Sequence, residues 1–445
     1  MNRPIVRPLA PFAAALLLAA CADSAPVREA DARPPATSST SAAAPSTTPA
    51  PPRCDPGNGG ITLPAEFCAA VFADVTDGSP RHVAVAPNGD VFVALEGRGG
   101  GASVLALRDT DGDGKADRQE RIGTKRGTGL AISGGWLYFA PTDGVVRWRL
   151  DPGRLAPAGE PQTVVTGLPT GGHGAKTIAL DDRGALFVNL GSRTNACQVA
   201  DRQAGSPGID PCTELEGRAG IWRFDAAQAN QTQASGQRWA TGIRNAVGIT
   251  VHQGQLWATQ HGRDQLHDNW PALYDDRKSA ENPGEELLSV DRGDDFGWPY
   301  CFYDVDQHRL VLAPEYGGRG TEVGRCAQKK APVTAFPGHW APESLAFYTG
   351  TQFPARYRGG VFIAFHGSWN RAPLPQEGFR VVFVPAAGRG PGTRYETFAD
   401  GFAGATPGEA SPHRPMGLAV APDGSLYVTD DNGGRIWRVQ WRGGR

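Results

Sequence analysis

No stretch of this chain approaches the length that a membrane-spanning helix needs; its most apolar run near the start, Phe12–Leu18, falls far short. It also lacks a charge of one sign. Lys and Arg number 44 against 46 Asp and Glu, leaving a net charge of −2, and no basic stripe interrupts the sequence. A polyanion such as nucleic acid is therefore not an expected partner. Cysteines are few, seven in all, and none forms Cys-x-x-Cys or Cys-x-x-Cys-His. That excludes both a thiol redox motif and a covalently attached c-type haem. Amphipathic helical periodicity is scarce as well, and residues 225–236 amount to a turn at most.

At the N-terminus Arg3 and Arg7 precede the short apolar run, which ends in Leu18-Ala19-Ala20-Cys21. This is the layout of an export signal over residues 1–20 with a bacterial lipobox. Cleavage before Cys21 would free a thiol for acylation, anchoring the chain without a span. Ala22, rather than Asp, points to the outer membrane, on its periplasmic face. Residues 22–52 are mostly Ala, Ser, Thr and Pro. Such a segment cannot bury enough apolar surface to offset its chain entropy, so residues 21–52 are expected to form a tether. Six further cysteines in an exported chain imply disulfides, and short intervals favour Cys54–Cys68, Cys197–Cys212 and Cys301–Cys326.

What fills residues 53–445 is a repeat. Six times a short apolar phrase leads through a Gly-bearing turn into another. The clearest copies are Val83-Ala-Val-Ala-Pro-Asn-Gly-Asp-Val-Phe-Val-Ala94 and Leu418-Ala-Val-Ala-Pro-Asp-Gly-Ser-Leu-Tyr-Val-Thr429. The others begin at Leu130, Ile178, Ile249 and, more loosely, Leu345. Asn-Gly and Asp-Gly between β-rich runs mark hairpins, because both turn residues need positive φ. A third strand follows several copies, as in Gly220-Ile-Trp-Arg-Phe-Asp225. Repeated small sheets of this kind predict an all-β, six-bladed β-propeller. Phe67–Val75 precedes the first copy and is placed to complete the last blade. Two long intervals, 193–219 and 263–343, are expected to wall a pocket on one face.

The residues just ahead of each copy converge near a propeller's axis. Five positions before the apolar start stand His173, Arg244 and His413, with Asn245 and Arg414 beside them. Arg81 and His82 precede the first copy. Recurring cations at one structural position suit a polyanionic ligand, since Arg pairs carboxylates bidentately. A neutral His there suits proton abstraction.

With these phrases the domain resembles the soluble pyrroloquinoline-quinone (PQQ) dependent glucose dehydrogenase and its aldose, sorbosone and pyranose dehydrogenase relatives. The resemblance rests on His173-Gly-Ala-Lys-Thr-Ile178, Arg244-Asn245, Gln260-His261-Gly262-Arg263, Gly297-Trp298-Pro299, His366-Gly-Ser-Trp-Asn-Arg371 and His413-Arg414-Pro415. It implies that His173 is the general base for a sugar or alcohol hydroxyl while hydride passes to PQQ. It implies that Arg244, Asn245 and Arg414 hold the quinone, and Arg81, His261, His366 and Arg371 are assigned to the same pocket. Gly262 and Arg263 fall where relatives offer two backbone carbonyls to Ca²⁺. Arg263 replaces a Pro and His261 a Gln of the glucose enzymes, and the His366–Arg371 phrase matches the sorbosone and pyranose branch better. Electrons would leave to a separate carrier, a cytochrome or quinone.

A second calcium loop reads directly from the residues. Asp109, Asp111, Asp113, Gly114, Lys115 (through its carbonyl), Asp117 and Glu120 occupy the ligand and glycine positions of the twelve-residue calcium loop. Without flanking helices it is expected to be a structural clip. Two other functions share a six-bladed propeller. One is a calcium-dependent lactonase with an axial metal held by Glu, Asn and Asp side chains, disfavoured by an expected mostly cationic mouth. The other is a non-enzymatic binding propeller tethered at the envelope.

Overall fold

Strand Val91–Glu96 shows how the repeat becomes a ring. A computed structural model of the protein describes residues 53–96 and 102–443, and nearly every residue of this strand is buried. Alternate side chains leave a strand on opposite faces. Phe92 and Ala94 therefore pack with Leu137, Phe139 and Trp148 of the next repeat. Val91, Val93 and Leu95 pack instead with Tyr427 and Ile436 of the last one. A sheet buried on both faces needs a neighbour on each side, and only a closed ring supplies one to every sheet.

Six four-stranded antiparallel sheets form that ring. Blade 1 runs Ser79–Val85, Val91–Glu96, Val104–Arg108 and Arg118–Ile122. Blade 2 is Gly127–Ser133, Trp136–Pro141, Val145–Arg149 and Gln162–Val165. Blade 3 is Ile178–Leu180, Ala185–Leu190, Gly220–Asp225 and Gln237–Thr241. Blade 4 is Ile249–His252, Gln255–Gln260, Glu285–Val290 and Thr334–Phe336. Blade 5 is Pro342–Phe347, Val361–Phe365, Arg380–Val384 and Glu396–Ala399. Blade 6 takes Pro415–Val420, Leu426–Asp430 and Arg435–Trp441, and its fourth strand is Phe67–Asp74. That strand pairs from Phe67 opposite Trp441 to Asp74 opposite Arg435, so the start of the domain closes the ring as expected.

Each interface between adjacent blades has its own apolar cluster, from the Phe67, Phe353 and Trp437 group between blades 5 and 6 to the Phe187 and Leu256 group between blades 3 and 4. The innermost strands of all six blades line an axial cavity of about 510 Å³. The disulfides are Cys54–Cys68, Cys197–Cys212 and Cys301–Cys326, as the intervals suggested. The expected signal peptide, Cys21 and the tether lie outside the described residues.

The long intervals divide differently from the expectation. Residues 191–219 and 261–284 link the second and third strands of blades 3 and 4, so they emerge at the end where each innermost strand begins. Strand direction alternates, so residues 291–333, joining the third and fourth strands of blade 4, leave from the opposite end. This segment climbs back along blade 3, where Phe296 N–H donates to Thr241 O at 3.1 Å and Trp298 N–H to Gly242 O at 3.0 Å. It then adds a hairpin, Cys301–Asp304 with Arg309–Leu312.

Candidate functional site

The mouth is built by broken ladders. In blades 1, 2, 5 and 6 the register between first and second strands shifts at its start, between Pro80 and Val83, Gly127 and Gly129, Pro342 and Ser344, and Pro415 and Leu418. A bulge bends the strand and re-aims its side chains. The residues inside these breaks include Arg81, His82, Thr128 and Glu343. In blades 3 and 4 the innermost strand begins only at Ile178 and Ile249. Residues 173–177 and 244–248 thus precede the strands and reach the mouth as loops, tied to the second strands where Thr177 O accepts from Asn189 N–H at 3.0 Å and Gly248 O from Thr259 N–H at 2.8 Å.

His173 sits over blade 3 with Nδ1 3.0 Å from the Ser192 carbonyl and 2.9 Å from Ser192 Oγ. The Ser192 hydroxyl already donates to Thr194 O at 2.7 Å. Both oxygens can then only accept, so the network assigns the ring proton to Nδ1 and leaves the lone pair on Nε2. Burial, reinforced by the Arg244 cation, pushes His173 down to about 3. The imidazole is neutral at physiological pH.

Arg244 is buried and donates to Asp264 Oδ2 at 2.8 Å, Asn195 Oδ1 at 3.1 Å and Asn195 O at 3.2 Å. Asp264 also accepts from Arg202 at 2.7 Å and Asn370 Nδ2 at 2.9 Å. Burial alone would raise its carboxyl, but the Arg244 cation, then His339 and Arg202, hold it well below the usual range. Asn245 Oδ1 lies 3.4 Å from Asn189 Nδ2. His261 Nε2 lies 3.1 Å from Pro342 O and 3.9 Å from Glu343 Oε1, joining this half of the mouth to the other.

The second half centres on Arg81 and Asp431. Arg81 lies 2.5 Å from Asp431, 3.0 Å from Glu96 and 3.9 Å from Glu343. His366 Nε2 is 2.8 Å from the other oxygen of Asp431. Burial opposes ionisation of Asp431, yet His366 and then Arg81 bring it down to about 2. Arg414 differs from its neighbours. It donates to His366 O at 3.2 Å and to Gly367 O, and lies 5.4 Å from the Phe379 ring centre. Among the described residues no carboxylate pairs with it.

The mouth is therefore not mostly cationic, as the sequence suggested: Glu96, Asp264, Glu343 and Asp431 interleave with the cations. Sequence reasoning missed all four, although Glu96 and Asp431 stand at one offset, thirteen residues after Val83 and Leu418, and that shared position was a signal; Asp264 and Glu343 do not share it. Asp264 and Asn370 stood beside or within recognised phrases, and the phrase positions were their only signal.

Gly262 donates its N–H to Glu285 Oε2 at 3.0 Å. Among the described residues no hydrogen bond is accepted by the Gly262 or Arg263 carbonyl. The Arg263 side chain turns away from the mouth, pairing with buried Glu315 and donating to Asn269 Oδ1 at 2.9 Å. Arg371 does not join the ring either. It is buried and bonds Ala280 O at 2.8 Å, Gly338 O at 3.2 Å and Glu281 at 2.8 Å, clamping its loop to blade 4.

In the acidic loop of blade 1 only Asp109, Asp111 and Asp113 come together, with carboxylate oxygens within 4.8 Å of one another. Lys115 follows, its N–H bonded to Asp113 Oδ1 at 2.8 Å. Asp117 instead accepts from Thr110 N at 3.1 Å and from the Thr110 hydroxyl. Glu120 lies in strand Arg118–Ile122, opposite Ala106, and pairs with Arg118 at 2.9 Å. A strand follows this loop where the helical version continues as a helix, and it carries position twelve away.

A six-bladed propeller with an ionic mouth and a bare imidazole nitrogen defines the class. The family model TrAA12-like matches residues 62–442, and the chain belongs to that family. A PQQ-dependent pyranose dehydrogenase of Coprinopsis cinerea is 26% identical over 410 residues, covering 81% of this chain and 52% of that protein. An uncharacterised protein of Borreliella burgdorferi is 27% identical over 274 residues, covering 60% of this chain. The chain thus spans 61% and 52% of these relatives' own lengths. The holo PQQ domain of the Coprinopsis enzyme superposes with a TM-score of 0.68 at 20% identity, covering 88% of this chain and 98% of that domain. The calcium structure of a Trichoderma reesei enzyme of carbohydrate-active family AA12 gives 0.69 at 19%, covering 86% and 97%.

Proposed function

We propose that the protein oxidises a sugar, or a related alcohol, with PQQ and Ca²⁺ at this mouth. The observation that carries the reading is the tautomer of His173: a neutral ring with its proton held at Nδ1 presents a basic Nε2. Nε2 would take the O–H proton of the substrate hydroxyl, while the carbon bearing that hydroxyl gives up its hydride. Asp264 holds Arg244, whose carbonyl accepts the Ser192 N–H at 2.7 Å, and the Ser192 carbonyl accepts from His173 Nδ1, so the base is positioned through Ser192.

The residues present fit the absent groups. Arg414 has only carbonyl and ring partners and would take a ligand carboxylate. The unengaged carbonyls of Gly262 and Arg263 are the oxygen donors that a hard cation prefers. Glu343 Oε2 and Asn370 Oδ1 are buried acceptors without donors, which suits a ligand bringing hydroxyls or a cation. When bound, the quinone accepts the hydride and calcium acts as its Lewis acid.

An axial calcium-dependent hydrolase would leave the Nδ1-protonated His173 and the carboxylate-free Arg414 without a role. The same proposal includes acylation at Cys21, a tether across residues 22–52, the periplasmic face of the outer membrane and a separate electron carrier. Titrating PQQ into metal-free protein, with and without Ca²⁺, tests it. A calcium-dependent change in the PQQ absorbance is expected, followed by dye reduction with aldoses. No change with calcium present would leave a binding propeller as the better reading.

A further inference from the structure

Trp369 is 53% exposed, the largest exposure of any aromatic side chain among the described residues. Single exposed apolar residues are ordinary on protein surfaces. This one is set apart by the loop that carries it. Residues 366–379 join the second and third strands of blade 5 and so rise at the mouth. At one end His366 bonds Asp431, while Arg414 donates to the carbonyls of His366 and Gly367. At the other end Asn370 Nδ2 donates to Asp264, and Arg371 is fastened to Ala280, Gly338 and Glu281.

The segment between these anchors, Ser368 and Trp369, thus spans from the Asp431 half of the mouth to the Asp264 half. Asn370 N–H donates to Ser368 Oγ at 3.2 Å, which tightens the turn. A loop pinned this heavily has no freedom to fold the indole into the core. The loop that carries the indole rises at the mouth end of blade 5, held between its anchors at Asp431 and Asp264. Ordering in advance removes part of the entropy cost of binding.

We propose that Trp369 is the stacking platform for the pyranose ring of the substrate, which rests on the sugar-oxidising reading above. An indole offers a large apolar face with little rotamer entropy to lose, and the C–H face of a pyranose is its complement. The acceptors to which its loop is anchored, Asp264 and Asp431, would meet the sugar's hydroxyl edge. The platform therefore selects ring sugars over acyclic polyols.

The experiment compares wild type, Trp369→Ala and Trp369→Phe in the full chain. Calorimetry follows PQQ with Ca²⁺, and separately D-glucose, D-galactose and D-xylose on PQQ-free protein; KM and kcat follow on the reconstituted protein. Trp369→Ala should weaken pyranose binding and raise KM about tenfold or more, and Trp369→Phe about threefold or less, with PQQ affinity unchanged. Equal KM in Trp369→Ala, no pyranose affinity in wild type, or a matching loss of PQQ affinity each overturns the platform, the last assigning the indole to the quinone. Failure of PQQ to bind wild type sinks the reading it rests on. The platform is then decided by the sugar titrations on PQQ-free protein alone.

Discussion

His173 Nδ1 lies 3.0 Å from the carbonyl of Ser192, nineteen positions further along the chain, at the start of the long loop of the same blade. The Ser192 N–H is in turn donated to Arg244 O at 2.7 Å. One backbone unit thereby orients the base and joins it to the next blade. A side-chain substitution at Ser192 removes the Oγ contact at 2.9 Å but leaves this main-chain contact in place.

Replacing His173 by Gln is expected to abolish dye-linked turnover while leaving PQQ affinity within about threefold, since general-base loss alone is worth about 10² to 10⁴ in rate. Ser192→Ala retains the carbonyl acceptor and should lose less than about tenfold. Steady-state rates and PQQ titrations on both variants check this. Full turnover in the Gln variant would remove the base assignment.

Stability should fall in acid. His173 is held near 3 against 6.5 in the unfolded chain, so between those values the unfolded state binds more protons and stability rises with pH. Its contribution is complete above about 6.5 and is lost as pH falls towards 3. Going from neutral to about pH 5 should cost about 2 kcal/mol through this group. His82, brought to about 4 chiefly by burial, acts in the same direction. Urea midpoints at the two pH values should converge partly in His173→Gln; an identical acid loss in both proteins would count against it.

The acidic loop of blade 1 gives a discriminating calcium test. Without PQQ, added Ca²⁺ should raise the Tm of wild type, and Asp111→Asn should lose most of that rise. Glu120→Gln should keep it, because Glu120 lies in a strand and pairs with Arg118. Differential scanning of the three proteins decides the matter. A loss in the Glu120 variant equal to that of the Asp111 variant would restore the full twelve-residue ligand set.

Arg263 and Glu315 form a buried pair between the mouth loop and the segment that climbs from the far end of blade 4. Glu315→Gln leaves the guanidinium buried without its counter-charge and should cost about 3 to 5 kcal/mol. Arg263→Met with Glu315→Gln should recover part of that loss. Denaturant unfolding of the single and double variants measures the coupling, and additive losses would mean that the pair is not coupled.

The propeller was legible because its signal is local and repeated. Val83–Ala94 and Leu418–Thr429 each contain the turn and both flanking strands, and six copies leave few architectures. The positions of His173, Arg244 and His413, with Arg414 beside it, were legible for the same reason, since a constant offset from a repeated strand is a constant place in the ring. The route of residues 291–333 was not, because strand direction at its exit is set by pairing with distant residues. Nor was the partner of Arg371, whose contacts at Ala280 and Gly338 lie far away in sequence.

By itself the sequence determined the number of blades, the closing strand and the repeat phrase of each blade, and its short cysteine intervals favoured the three disulfides found. These follow from periodicities and spacings of a few residues, on the scale where turn chemistry and strand alternation act. The innermost strands of blades 1, 2, 5 and 6 begin three or four residues ahead of their phrases, at Ser79, Gly127, Pro342 and Pro415. The tertiary structure alone decided the charge balance of the mouth, the tautomer of His173 and the place of Trp369. Those depend on carboxylates, carbonyls and loops contributed by different blades, and no spacing along the chain encodes which of them meet.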